Sequence, residues 1–392
     1  MSVQRQFFWI ILSLYLGISS TAFAGSKRDE DVEKYIVRIG RGDVTDTCVV
    51  YRTKTYPGPE REWEQQVNKS VYFAGWNGYR DGDVVTVWVQ KIGSRASSAI
   101  VRPERNNIGA LKTFGEANER RVVFKVSNPT KISVEFDDDP KNNEPLLIFI
   151  GREEASGGLG STAGKKYVYT DSLALSKLPK EISSVFFGPG RHAVGLWKVP
   201  TNVREIFIQE GAVLQGYIYA ERADNNPLII RGGGIISNEG FKYHFPSNAN
   251  IADYESSQNW YKAIQIEGGK GHLIEGITII DPSSYIIQLH ASDSIISNVK
   301  MLGFRMNNDA VTLSGKNNKI EDCFIRVNDD AIVLRDVQGL TVKNCVFWQL
   351  TVGSIFQLGW TAHDISDLTV ENCDVIHADW NYEMENSGFI NL

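Results

Sequence analysis

Short apolar–polar repeats organise the second half of this chain. Ile274-Glu275-Gly276-Ile277, Ile296-Ser297-Asn298-Val299, Ile320-Glu321-Asp322-Cys323, Val342-Lys343-Asn344-Cys345 and Val370-Glu371-Asn372-Cys373 all read apolar, polar, turn-former, small apolar, at offsets of 22, 24, 22 and 28 residues. A short strand recurring roughly every 20 to 25 residues, with no helical period between copies, predicts a parallel β-helix with rungs ~4.8 Å apart. No rung buries its inward face alone, so neighbouring rungs must present similar residues to each other. The runs around Val185, Ile206 and Ile229 predict the first rungs, with glycines where the backbone bends at the corners. The 28-residue step leaves spare residues between Trp360 and Leu368. An outsized loop at that place would shape a groove.

From Tyr35 to Ile150 the pattern changes. Val84-Val85-Thr86-Val87-Trp88-Val89, Arg121-Val122-Val123-Phe124-Lys125-Val126 and Lys131-Ile132-Ser133-Val134-Glu135-Phe136 alternate apolar and polar positions between turn clusters, which predicts an antiparallel β-sandwich. The Gly/Ser stretch from Ala155 to Gly164 has the composition of a linker. No long amphipathic helix is evident. The expected organisation is therefore all-β: a sandwich over 25–155, a connection over 156–180 and a right-handed parallel β-helix over 181–392.

Two stretches on the rungs repeat with carboxylates in the same slot. They are Asn307-Asn308-Asp309-Ala310-Val311-Thr312-Leu313 and Asn328-Asp329-Asp330-Ala331-Ile332-Val333-Leu334, 21 residues apart. That offset stacks Asp309 beside Asp330 and brings Asp329 to the same patch. Like charges packed so closely cannot all ionise freely, so one pKa is pushed up, as acid/base chemistry requires. Asn and Asp also form side-chain turns at solenoid corners, and any one of these residues alone reads that way. Their clustering on adjacent rungs is what favours chemistry. Glycosidic cleavage needs a protonated carboxyl for the leaving oxygen and a carboxylate to activate water, ~6.5–9.5 Å apart for inversion. Consecutive residues of an extended strand point to opposite sides, so Asp329 and Asp330 are expected to open toward that separation.

Composition narrows the possibilities. The chain opens with Arg5, an apolar run from Phe7 to Leu16 and Ala22-Phe23-Ala24, the pattern of a secretory signal cleaved after residue 24. The run is short of the ~20 residues a membrane span requires, so an exported protein, extracellular or periplasmic and free of the membrane after cleavage, is expected. Cleavage removes one basic residue and no acid, taking the net charge from −6 to −7. With no Lys/Arg cluster, nucleic-acid binding is excluded as a function. Cys323, Cys345 and Cys373 fall in the inward slot that Ile277 and Val299 fill elsewhere, and are read as stacked small hydrophobes. A Cys323–Cys345 bridge is within reach at rung spacing; Cys48 stands apart. No Cys/His group has zinc-ligand spacing, and neither metal nor cofactor is expected.

A family resemblance then becomes specific. A sandwich joined to a β-helix, the run Phe187-Gly188-Pro189-Gly190-Arg191-His192 through Gly195-Leu196-Trp197 to Gly211-Ala212-Val213-Leu214-Gln215-Gly216, and carboxylate rungs followed by Phe356-Gln357-Leu358-Gly359-Trp360 resemble glycoside hydrolase family 49, the dextranases and isopullulanase, over most of residues 35–392. The resemblance implies hydrolysis of α-glucan linkages with inversion, by Asp309, Asp329 and Asp330. It implies Asp329 as general acid, with Asp309 and Asp330 holding and activating water.

Substrate contacts are expected from Gln357 and Trp360, from Arg335 directly after the second rung, and from His363 in the outsized loop. Trp348 and Trp380 offer flat faces for sugars or pack in the core, and His290 reads as a rim residue. The partner would be a polysaccharide. Two other classes stay open: a pectin- or galactan-degrading β-helix enzyme, hydrolase or calcium-dependent lyase, and a non-catalytic binding solenoid. Against a polygalacturonase, Gly353-Ser354-Ile355-Phe356-Gln357-Leu358 carries no cation for a uronate. Ser387-Gly388-Phe389-Ile390-Asn391-Leu392 reads as a further rung without a polar cap. An incomplete solenoid with an associating edge is expected there, and a monomer if the chain is complete.

Overall fold

The computed structural model describes residues 33–42, 45–53, 70–153, 164–170, 175–239, 241, 262–305, 307–380 and 386–392. The signal segment, 1–24, and nearly all of the Gly/Ser stretch lie outside them. Among the described residues the elements are strands and two short 3-10 turns, and no helix is long and apolar enough to cross a membrane.

The expected solenoid is present. A nine-stranded parallel sheet runs from Lys165–Val168 through Ile182–Phe187, Glu205–Ile208 and Ile229–Arg231 to Leu273–Glu275, Ile295–Ser297, Lys319–Glu321, Thr341–Lys343 and Thr369–Glu371. Its register pairs Ile274 with Ile296, Ile296 with Ile320, Ile320 with Val342 and Val342 with Val370, as the apolar spacing predicts. The first four of these residues have no exposed surface. The strand Lys165–Val168 joins this sheet from within the segment 156–180.

A fifteen-stranded sheet forms the other two walls. One wall stacks Thr278–Ile280, Lys300–Leu302, Phe324–Val327, Val346–Gln349 and Asp374–Ala378, and the other stacks Ile264–Lys270, Ile287–Ser292, Val311–Lys316, Ile332–Gln338 and Ser354–Gln357. Between the nine-stranded wall and the first of these, each rung turns on one left-handed residue: Gly276, Asn298, Asp322, Asn344 and Asn372, with φ of 80, 54, 54, 54 and 52°. Only Gly, Asn and Asp enter that region cheaply. Their side chains face outward, where Asn344 donates to Asp322 at 3.1 Å. Asp293 and Asn317 turn the next corner in the same way, joined by a 3.1 Å hydrogen bond. Cys323 and Cys345 are buried free thiols and Cys373 is half-buried, which is the small-hydrophobe packing expected of them.

The N-terminal region packs a four-stranded antiparallel sheet on a six-stranded one. Val85, Val87 and Val89 alternate with Thr86 and Trp88, so the valines fill the space between the sheets. One pair departs from the antiparallel expectation, since Leu146–Arg152 runs parallel to Tyr72–Tyr79. Leu146–Arg152 is apolar without alternation because it is covered twice. Leu146, Ile148 and Ile150 enter the sandwich core, whereas Leu147 and Phe149 join Val71 and Phe73 in a second core against Ile280, Leu302, Phe324 and Trp348 of the solenoid. The Phe149 and Phe324 rings meet edge-on at 5.3 Å. At the margin His377 contacts Glu135 at 2.8 Å and Arg105 pairs with Asp374 at 2.6 Å.

Candidate active site

The carboxylates lie where the strand-wall against the sandwich hands over to the wall of Val311–Lys316 and Ile332–Gln338. Two asparagines fix this turn. Asn308 accepts from the Arg305 amide at 2.7 Å and donates to the Pro282 and Ser284 carbonyls at 3.2 and 2.9 Å. Asn328 accepts from the Thr351 amide at 3.1 Å and its hydroxyl at 2.8 Å. The ladder continues in register just past the turn. Ala310 N–H donates to the Asp330 carbonyl at 3.0 Å, and Ala331 N–H to the Ser354 carbonyl at 2.8 Å, so Asp309, Asp330 and Ser354 share one slot on successive rungs.

Stacking therefore brings the three aspartates together. One carboxylate oxygen from each of Asp309, Asp329 and Asp330 lies within 4.8 Å of the other two. All three are buried, with 4%, 8% and 1% of their surface exposed. None has the left-handed backbone of the corner residues. The distances within 4.8 Å are approaches of single oxygens, whereas the ~6.5–9.5 Å expected between Asp329 and Asp330 is a separation of whole carboxyl groups. Gly353 lets the third rung pack closely on the Asp329–Asp330 backbone, since a Cβ there would sit 2.5 Å from the Asp330 nitrogen. Its carbonyl is held by the Trp380 indole N–H at 2.9 Å.

Burial and mutual repulsion raise the proton affinity of the whole group. Burial and then the Asp329 and Asp330 charges push Asp309 well above the ordinary carboxylate range, against the pull of Arg335 and Lys262. Asp329 is pushed up to about 7 by burial and by Asp330, opposed by the Asn307 and Asp330 amides, which donate to it at 3.0 and 3.1 Å. Asp330 rises to about 6 through burial, opposed by Ser354. The Ser354 amide and hydroxyl both donate to Asp330 Oδ1, at 2.6 and 2.8 Å. Asp330 Oδ2 is buried without a hydrogen-bond partner among the described residues, an open acceptor within the site. Among the described residues this is the only trio of His, Cys, Asp or Glu drawn together closely enough to share a metal ion.

The other expected contacts separate. Arg335 is near enough to act on Asp309. Trp360 lies 55% exposed. Gln357 does not present its amide to a substrate: it is buried, donates to the Gly359 carbonyl and accepts from Asn391 at 2.7 Å. His363 turns to Asp336 on the preceding rung at 3.2 Å and to Thr361 in its own loop at 3.3 Å. Trp348 belongs to the core against the sandwich, and His290 contacts Glu267 at 2.9 Å. Ser354, Gly353 and Lys262 are the residues the sequence reading missed. For Ser354 the signal was its offset of 24 from Asp330, legible only once a third rung is in register.

Fold and site together define a β-helix protein with an N-terminal sandwich and a buried three-carboxylate centre. The family description "Right handed beta helix region" matches residues 262–389. A dextranase of Arthrobacter sp. (strain CB-8) is 23% identical over 218 residues, 52% of this chain and 33% of that protein. The isopullulanase of Aspergillus niger is 23% identical over 348 residues, 77% of this chain and 57% of that protein. In the solved structures Dex49A from Penicillium minioluteum shares the fold, with a TM-score of 0.65 at 19% identity, over 87% of this chain and 70% of that one. The chain is thus similar in sequence to dextranases and an isopullulanase and shares its fold with Dex49A. It spans about a third of the length of the matching dextranase.

Proposed function

We propose that this protein is an exported glycoside hydrolase that cleaves internal linkages of an α-glucan, with dextran-type α-1,6 bonds the first to test. The observation that carries the reading is the convergence of three buried carboxylates of raised proton affinity on a fold shared with Dex49A. Asp329, the most exposed of the three and held near neutrality, is the general acid that protonates the leaving glycosidic oxygen. Asp330 ionises first, with Ser354 holding its charge, and takes a proton from the attacking water while Asp309 orients that water. The C1–O bond breaks as the water oxygen bonds to C1. Asp329 ends ionised and Asp330 protonated, and solvent restores both. Trp360 supplies an exposed ring for a sugar face.

Attack by water from the face opposite the leaving group inverts the anomeric centre, so an α-linked substrate releases the β-anomer first. Retention through a covalent glycosyl intermediate is the alternative outcome. Proton NMR during early turnover separates the two, the α-anomer appearing first under retention. The deciding experiment for the class is turnover of a polysaccharide panel with and without chelator. Hydrolysis of dextran that survives chelation supports this function, and loss of activity on chelation points to a lyase with the trio as calcium ligands.

A further inference from the structure

A cleft of about 870 Å³ lies between the N-terminal sheets and the left-handed corner of the solenoid. It sits at the opposite end of the strand Phe324–Val327 from the carboxylates: Asp322 precedes the strand and lines the cleft, and Asp329 follows it. Its charged lining is balanced, with Lys131, Arg152 and Arg231 against Glu153, Glu275 and Asp322. Four of these six already have partners. Arg152 pairs with Asp81, Glu153 with Arg80, and Arg231 with Glu205 at 2.8 Å, while Asp322 accepts from Asn344.

Lys131 from the sandwich and Glu275 from the solenoid differ. Neither makes a side-chain hydrogen bond or ion pair with a described residue. Lys131 is half-buried, and burial lowers its proton affinity, so its ammonium gains from an acceptor within the cleft. An anionic ligand would satisfy Lys131 but meet repulsion from Glu275, Asp322 and Glu153. A metal ion would satisfy Glu275 but meet three cations. A hydroxyl accepts from an ammonium and donates to a carboxylate at once. The amides of Asn128 and Asn298 and the Ser297 hydroxyl extend the same mixed character, and the volume falls within the ~300–1,000 Å³ of small-ligand sites.

We propose that this cleft is a second carbohydrate site, taking a short neutral oligosaccharide between Lys131 and Glu275, apart from the carboxylate centre. The proposal does not depend on the trio being catalytic. Its test is acylation of Lys131 by N-hydroxysuccinimidyl acetate, followed by peptide mass spectrometry, on the full chain carrying Asp329→Asn and on the unsubstituted chain. Saturating isomaltotriose is expected to slow modification of Lys131 about fivefold or more and to leave exposed Lys112 unchanged. Glu275→Ala should weaken that protection about tenfold. Unchanged acylation at saturating isomaltotriose would overturn the site, and protection by trigalacturonate alone would overturn its neutral ligand class. Absence of dextran hydrolysis would leave either outcome readable.

Discussion

Two corners of the solenoid are built from the same residue types and do opposite things. At the corner of Gly276, Asn298, Asp322, Asn344 and Asn372 the backbone is left-handed at every rung, and the polar side chains face outward. At the corner of Asp309, Asp329 and Asp330 the backbone is ordinary, and the carboxylates are buried and held above their usual pKa range. An aspartate at the first corner is chosen for its tolerance of a strained turn; at the second, nothing in the backbone calls for an acid. What separates the aspartates of the two corners is burial against their own kind.

The sharpest way to break this comparison is to neutralise one carboxylate at each kind of turn. Asp329→Asn is expected to lower hydrolysis ~10²–10⁴-fold with the far-UV circular dichroism unchanged, because the amide keeps the shape and loses the proton. Asp293→Asn, at a left-handed turn, should stay within about twofold of the parent in the same assay, since its side chain only bonds Asn317.

Stability should differ between the corners in its response to pH. Asp329 and Asp330 titrate at about 7 and about 6, above an unfolded value of ~3.9. The native state therefore binds more protons than the unfolded state through this window, and the group costs stability as pH rises from about 4 to about 7. Asp329→Asn should recover about 2 kcal/mol at pH 8 relative to pH 5. Calorimetric melting at the two pH values reads this as a smaller loss of Tm on going to pH 8.

Ser354→Ala removes one of the two donors that hold the Asp330 charge. Activity should fall about tenfold at pH 6, with the acidic limb of the pH–rate profile displaced upward because a carboxylate deprived of a donor keeps its proton longer. An unmoved acidic limb would mean that Asp330 is not the ionised base. The smallest effect belongs to the left-handed corner. Asn344→Val should cost about 1–2 kcal/mol by urea unfolding and Asn344→Gly almost nothing, since only the first forces a branched side chain into φ of 54°.

Much of this architecture was legible in the chain. The apolar position at Ile274, Ile296, Ile320 and Val342 had to recur at rung spacing to make one inward wall, and the 21-residue offset that aligned Asp309 with Asp330 is that spacing read on a second wall. The side-chain roles around the trio were less legible. Gln357 has the outward position of a solvent-facing glutamine, and its burial comes from Asn391 on the next rung. Trp348 reads as core or as a sugar face from the sequence, and the sandwich laid against it makes it core. The Gly353 contact also escaped, because how closely that glycine packs on Asp329 and Asp330 is a meeting of segments that no local pattern encodes.

The doubly covered strand Leu146–Arg152 has a consequence for recombining such proteins. With Leu147 and Phe149 seated on Ile280, Leu302, Phe324 and Trp348, the sandwich is not an interchangeable cassette. A chimera that grafts a foreign sandwich onto this solenoid must bring side chains matched to that surface, or it will carry an oily face into water and lose yield before any question of catalysis arises.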